Sequence, residues 1–377
     1  VLPFLDLSRQ QNQAYFCDGL SDELISWLTC VPGLRVASRT SSFAFKGGAS
    51  DLKSAAEKLR VAHILEGGVR KSGERLRISA QLTDVANDSV LWAENYDRDL
   101  SDIFAIQQDI ASRIQDALKV QFGAVTKAEP ETSNAKAYEY YLRGRGYALY
   151  NGSKELKLAQ SMFEKATEVD PCFVAAWVGL AEVTAIQALF LAGGEDAKRA
   201  SDEAGKKAME LAPDDGTSFM ALGFSQLACE CYCDAEKSFL KALQLDPTLH
   251  RAWHYLGRTA HHAGEKKKEI DYFRRATELD EDDWESPILV LAPMRQESEP
   301  DEVRQIARLA VARVKRHLED YPDNQRAYYL GIGALILLEE IDLAEEWAEQ
   351  AYELAPDDPP TRYNLACFYA QLGNVDK

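Results

Sequence analysis

The chain has 377 residues, 46% of them hydrophobic, and a formal charge of −18. That length points to two or three domains, and that apolar share to a substantial buried core. Residues 1–122 carry a net −2 and residues 123–377 a net −16, which excludes a basic nucleic-acid footprint; the acidic half reads as a self-repelling, solvated surface.

No apolar run approaches the roughly 20 residues that cross a bilayer, and no signal peptide opens the chain. Seven scattered cysteines fit free thiols better than a disulfide framework. The opening VLPF reads as a strand already under way, so the chain reads as a fragment lacking any membrane segment or effector domain of its parent.

In chain order, SDELISWLTCV predicts a helix with Ser21 at its N-cap and Asp22 and Glu23 in the first turn. LRVASRTSSF predicts a strand, and DLKSAAEKLRV a short helix capped by Asp51. AHILEGGVRKSGERLRISAQLTDV predicts two strands around a tight turn at Lys71–Glu74, with Leu76, Ile78, Ala80 and Leu82 on one face. SVLWAENYDRDL continues as a further strand. DIFAIQQDIASRIQDALKVQF predicts a long amphipathic helix with Phe104, Ile106, Ile110, Ile114 and Leu118 on one face. Residues 1–122 thus read as a mixed α/β domain, and the polar stretch 123–135 as a linker.

From residue 136 the chain repeats. Phe219 and Trp253, Leu222 and Leu256, Gly223 and Gly257, Phe239 and Phe273, and Ala242 and Ala276 are each 34 residues apart. That is the tetratricopeptide period. Small residues let the two helices of a hairpin approach, and large ones fill the gap to the next hairpin. Residues 136–377 therefore read as about six repeats plus a final half repeat, forming an all-α, right-handed solenoid. The unit around Arg295–Glu302 is the most irregular.

CECYC, Cys229–Cys233, concentrates three thiols in five residues. It falls on the turn inside the third hairpin and lacks the second Cys pair of a zinc site, so it reads as a buried or half-buried helix turn. HRAWHYLGRTAHH places His250, Arg251, His254, Arg258, His261 and His262 on an arc of about 120°. In tetratricopeptide arrays that face of the first helix lines the groove. Arg251, His254, Arg258, His261 and His262 are therefore candidates for an anion-binding or pH-responsive patch, against the plainer reading of a solvated polar face. YEYYLRGRGYALY supplies Tyr138, Tyr141, Arg143 and Arg145, read as packing with cation–π contacts or as a ligand pocket at the domain junction. The acidic run Glu278–Glu285 lacks the glycine and ligand spacing of a calcium loop and reads as a solvated turn. No phosphate loop, GxSxG elbow or HExxH is present, so the expectation is no catalytic residue, no metal site and no cofactor.

The stretches VLPFLDLS…AYFCDGLSDELISWLTCVPGLRVASRTSSFAFKG and AAEKLRVAHILEGGVRKSGERLRISAQLTDVANDSVLWAENYDRDLSDIFAIQQDIASRI resemble the TolB amino-terminal-like domain. They resemble in particular the version that precedes tetratricopeptide repeats in bacterial class III adenylate cyclases and CadC-like regulators. The resemblance implies a non-catalytic sensory or interaction region, following a single membrane helix in its parent. It implies a peptide, protein or small-ligand partner, no nucleic acid bound by this chain, and a periplasmic setting. Cys17 and Cys30 depart from the family pattern, and seven free thiols sit awkwardly with the periplasm, so a cytoplasmic setting stays open. The alternative is a stand-alone tetratricopeptide adaptor or assembly scaffold.

Overall fold

A computed structural model describes residues 1–8, 13–29, 34–37, 39–43, 45–46, 51–72, 75–99, 106, 109–110, 113–114, 132, 134–148, 152–191 and 193–373. It divides into two compact units, Val1–Ala176 and Trp177–Lys377. The first helical hairpin thus belongs to the same unit as the sheet.

In the first unit a four-stranded sheet has the order β1-β2-β3-β4. β1 (Leu5–Asp6) runs parallel to β2 (His63–Ser72), which pairs antiparallel with β3 (Arg75–Asp84), and β3 with β4 (Ser89–Asp99). Leu76, Ile78, Ala80 and Leu82 are all buried, as their alternation with polar residues requires. The turn residues 73–74 lie outside the described residues, as do Phe104, Leu118 and nearly all of the expected linker. Of the amphipathic stretch before that linker, Ile106, Ile110 and Ile114 are helical and buried.

Two expectations fail here. Helix α1 spans Ala14–Thr29, so it starts seven residues before Ser21. Ser21 is mid-helix, where its hydroxyl donates to the Cys17 carbonyl and accepts the Phe4 amide, tying α1 to the first strand. The β-branched stretch after Leu34 forms no strand; Arg39–Phe43 is one helical turn, α2, with Ser42 and Phe43 buried. Tertiary burial of Phe43 outweighs local β propensity there. Helix α3 (Leu52–Leu59) does take Asp51 as its cap, which accepts the Lys53 and Ser54 amides.

The other helices whose bounds lie among the described residues are α4 (Ala135–Ala148), α5 (Ser153–Val169), α6 (Val174–Phe190), α7 (Gly194–Leu211), α8 (Gly216–Ala228), α9 (Tyr232–Leu245), α10 (Arg251–Ala263), α11 (Lys266–Leu279), α12 (Ser286–Leu289), α13 (Leu291–Glu297), α14 (Pro300–Asp320), α15 (Gln325–Leu337), α16 (Ile341–Leu354) and α17 (Pro359–Gln371). A Cβ on Gly223 would meet the Phe239 ring at 2.5 Å, one on Gly257 the Phe273 ring at 2.5 Å, and one on Gly331 the Trp347 ring at 2.3 Å. Glycine on the first helix therefore makes room for an aromatic ring on the second. The turns that follow first helices repeat as well. Glu230, Gly264, Glu339 and Gly373 are all left-handed, with φ of 64°, 74°, 62° and 73°. Within each half the two are 34 residues apart, at 230 and 264 and again at 339 and 373.

The irregular unit has its own remedy. Where other second helices end at Pro171, Pro213, Pro247 or Pro356, α11 ends at Asp280-Glu281. There the Arg313 guanidinium, reaching over from α14, donates to the carbonyls of Thr277, Asp280 and Asp283 at 2.8–2.9 Å. A buried cation thus caps the C-terminal carbonyls of a helix, where the macrodipole favours it.

Candidate functional site

The candidate groove residues do not act as one patch. His254 and Arg258 join a half-buried cluster; His261 and His262 are exposed and turn to other partners. Arg258 lies one helical turn after His254 on α10. Its Nε donates to His254 Nε2 at 3.4 Å, and its Nη2 to Glu285 at 3.3 Å. Arg326, at the start of α15, donates to the same Glu285 oxygen at 3.0 Å. His254 Nδ1 is 2.9 Å from the Ser286 hydroxyl, which in turn bonds Asp283. Phe190, the last residue of α6, stacks under both guanidiniums, with centroid distances of 4.5 Å to Arg258 and 5.6 Å to Arg326.

Burial pushes His254 down to about 3, with Arg258, Arg251 and Arg326 adding to the effect against the pull of Glu285. The imidazole is therefore neutral at ordinary pH. Nε2 accepts from Arg258, which leaves Nδ1 as the donor to Ser286. Burial alone would raise the Glu285 carboxyl, but the Arg326 and Arg258 guanidiniums hold it well below the usual carboxylate range. Arg258, Arg326 and Glu285 thus set two guanidinium charges against one carboxylate, with Asp283, joined through Ser286, as the next acid. The side chains of Arg258, Glu285 and Arg326 retain 11%, 17% and 19% exposure, so these charges are held largely out of water yet stay reachable. Arg251 stands beside this cluster, ion-paired to Glu182 at 2.6 Å and bonded to the Tyr255 hydroxyl at 3.2 Å.

At the far end of α10, His261 Nδ1 meets Glu269 at 2.8 Å, and that contact raises its pKa. His262 stacks on Tyr232, with centroids 5.9 Å apart; burial, then His261 and Arg258, lower its pKa.

Glu285, Ser286, Arg326 and Phe190 were not singled out in the sequence. Glu285 ends the acidic run read as a solvated turn, which this half-buried carboxylate corrects. Arg326 did carry a signal: RAW at 251–253 and RAY at 326–328 place arginines on the same repeat position. Phe190 and Ser286 carried none, since only tertiary packing brings them here. The thiols of Cys229, Cys231 and Cys233 also correct the sequence reading, for all three are exposed around the left-handed turn at Glu230. Among the described residues no group of three His, Cys, Asp or Glu converges as a metal site would require.

The aromatic and arginine stretch on α4 has a different arrangement. Tyr138 and Tyr141 are buried. Tyr141 donates to Glu23 at 2.9 Å, and Arg145 donates to the Tyr141 hydroxyl at 3.2 Å and pairs with Asp22. Arg143 reaches Gln13 at 3.1 Å and Glu139 at 2.8 Å. Glu139, 1% exposed, also pairs with Lys71 and Lys136. Burial would raise its carboxyl, but Lys71, Lys136 and Arg143 hold it below the usual range. The glycines of RGRG face different helices: a Cβ on Gly144 would meet the Phe163 ring of α5, and one on Gly146 the Tyr15 carbonyl of α1 at 2.5 Å. From the α1 side, a Cβ on Gly19 would meet the Leu142 carbonyl at 2.2 Å. These contacts pack α4 against α1, backbone to backbone.

Residues 232–283 match a tetratricopeptide repeat family model. A Rhizobium meliloti (strain 1021) protein named "Putative adenylate cyclase 3" is 38% identical over 183 residues, which is 48% of this chain and 31% of that protein. The chain therefore spans under a third of that relative's length. A solved structure described as "Functional Characterization of Pseudomonas Aeruginosa pilF" matches 63% of this chain and 97% of its own, at 21% identity and a TM-score of 0.43. A human protein, described as "Human IFIT1 dimer with m7Gppp-AAAA", matches 72% of this chain and 60% of its own, at 18% identity and a TM-score of 0.51. That likeness is one of fold alone. The chain carries tetratricopeptide repeats together with a small amino-terminal four-stranded sheet.

Proposed function

We propose that this chain is the non-catalytic interaction region of a bacterial signalling protein, and that its repeats receive a peptide or protein through a carboxylate or other anionic group. The repeats, in the solenoid arrangement read from the sequence, support a binding role, and the named cyclase relative supports the signalling setting. The TolB-like reading of residues 1–122 fits a sensory region whose effector is supplied by other parts of the parent, a cyclase or a CadC-like regulator. A membrane-anchored parent would place the chain in the periplasm.

One observation carries the ligand chemistry: Arg258 and Arg326 converge on the single Glu285 carboxylate over the face of Phe190. Glu285 then acts as an internal stand-in, and an incoming carboxylate shares or replaces it as the fork-shaped partner of two guanidiniums. A peptide array with free and amidated C termini and graded acidity tests this. Peptides bearing a free carboxylate should bind, and Arg258→Gln and Arg326→Gln should each weaken the best of them about tenfold or more, with thermal melts confirming the fold. Binding that ignores both substitutions would refute the reading.

A further inference from the structure

Two exposed helix stripes of opposite sign lie outside this cluster. Residues 303–318 of α14 contain five cations and no acid, within the half of the chain that carries most of its negative charge. Arg313 is spent on capping α11. Arg304, Arg308, Lys315 and Arg316 are exposed, and no ion pair among the described residues uses them. Helix α16 has no cation at all. Its Asp342, Glu346, Glu349 and Glu353 are exposed and likewise take part in no ion pair among the described residues. Both helices pack on α15 and share one apolar core, so each stripe is held by a fixed scaffold.

The stripes match in spacing as well as in sign. Arg304, Arg308 and Lys315 fall at steps of 0, 4 and 11 along α14. Read backwards from Glu353, the acids of α16 fall at 0, 4, 7 and 11. At 1.5 Å per residue both stripes are about 16 Å long. Large apolar side chains lie exposed on or near them: Leu309 at 37%, Tyr352 at 53%, Leu354 at 41% and Tyr363 at 70%. Within one chain the two stripes flank α15 and make no ion pair with each other among the described residues.

We infer that α14 and α16 form a self-association surface whose partner is a second copy of this chain. The basic stripe of each copy lies antiparallel on the acidic stripe of the other, pairing Arg304 with Glu353, Arg308 with Glu349 and Lys315 with Asp342. A two-fold axis makes every contact twice, as an isologous dimer requires. Leu309 and Tyr352 supply its apolar contact. This inference is independent of the anion site.

Sedimentation velocity on the 377-residue chain tests it. A dimer is expected at about 50 mM salt, with dissociation strengthened about tenfold or more at about 500 mM as the Debye length shrinks. Arg304→Glu with Arg308→Glu should be monomeric, and so should Glu349→Arg with Glu353→Arg. Mixing the two variants should restore a heterodimer, because each reversed stripe then meets a complementary one. All the substituted positions are exposed, and circular dichroism melts check that both variants fold. A wild-type monomer at about 100 µM in low salt would overturn the inference. So would a dimer that survives either reversal, or two variants that fail to combine.

Discussion

Two regions bury ion pairs, and they differ in which sign is taken out of water. Against α1 and α4 the acids are at the centre: Glu139 is 1% exposed, and Asp18 and Asp22 are buried as well. Of their partners, Lys46, Lys136, Arg143 and Arg145 reach in from solvent and keep roughly a third to a half of their side chains wet, while Lys71 keeps 11% and Arg39 22%. Most of the positive charge there is hydrated, Lys71 being the exception. In the cluster of α10, α12 and α15 the guanidiniums are at the centre with their single acid. A surplus cation withheld from water is under-compensated, which is what an anion site needs. Similar residue types thus hold one region together and, in the proposed function, leave the other able to take an anion.

The largest effect should come from removing the acid on the under-compensated side. Glu285→Gln strands two guanidiniums and should cost about 3–5 kcal/mol of stability, measured by urea denaturation. It should also raise affinity for carboxylate peptides, because the internal competitor is gone. Gly19→Val breaks the other region by driving its Cβ into the Leu142 carbonyl. A loss of about 3 kcal/mol is expected, with no change in peptide affinity. Glu139→Gln leaves Lys136 and Arg143 able to return to water and strands only Lys71, so about 1–2 kcal/mol should be lost. Equal costs for Glu139→Gln and Glu285→Gln would erase the distinction drawn between the two regions.

The smallest effect is one of pH. The pKa of His261 is raised by Glu269, so its contribution to stability is full below the unfolded value of about 6.5 and is lost as pH rises through the raised folded value. The pKa of His262 is lowered, so its contribution is full above the unfolded value of about 6.5 and is lost as pH falls through the lowered folded value. The two oppose each other in the wild type. His261→Gln should expose a stability loss on acidification, and His262→Gln a loss on alkalinisation, both read from melting temperatures between about pH 5 and pH 8. His254 should contribute no titration of peptide affinity in that range, since it is neutral throughout it; the group of the cluster that titrates there is Asp283, pushed up to about 6 by burial, so a pH effect on affinity should disappear in Asp283→Asn.

The sequence alone settled what depends on local period. The 34-residue spacing of Gly223, Phe239, Gly257 and Phe273 pointed to repeating hairpins, because a glycine opposite a ring is a rule within one unit. The alternation in β3 and the Asp51 cap were legible for the same reason. What it could not settle was where unrelated segments meet. The start of α1 depended on a buried strand amide finding Ser21, and the Arg39–Phe43 turn on burial of Phe43. Helix α10 looked like one polar face, but His254 and Arg258 were divided from His261 and His262 by what packs beside each end: Glu285 and Phe190 at one, Glu269 and Tyr232 at the other. Periodicity assigns a side chain to a face, whereas desolvation and the partners supplied by other helices decide its charge, and only the tertiary structure brings those partners together.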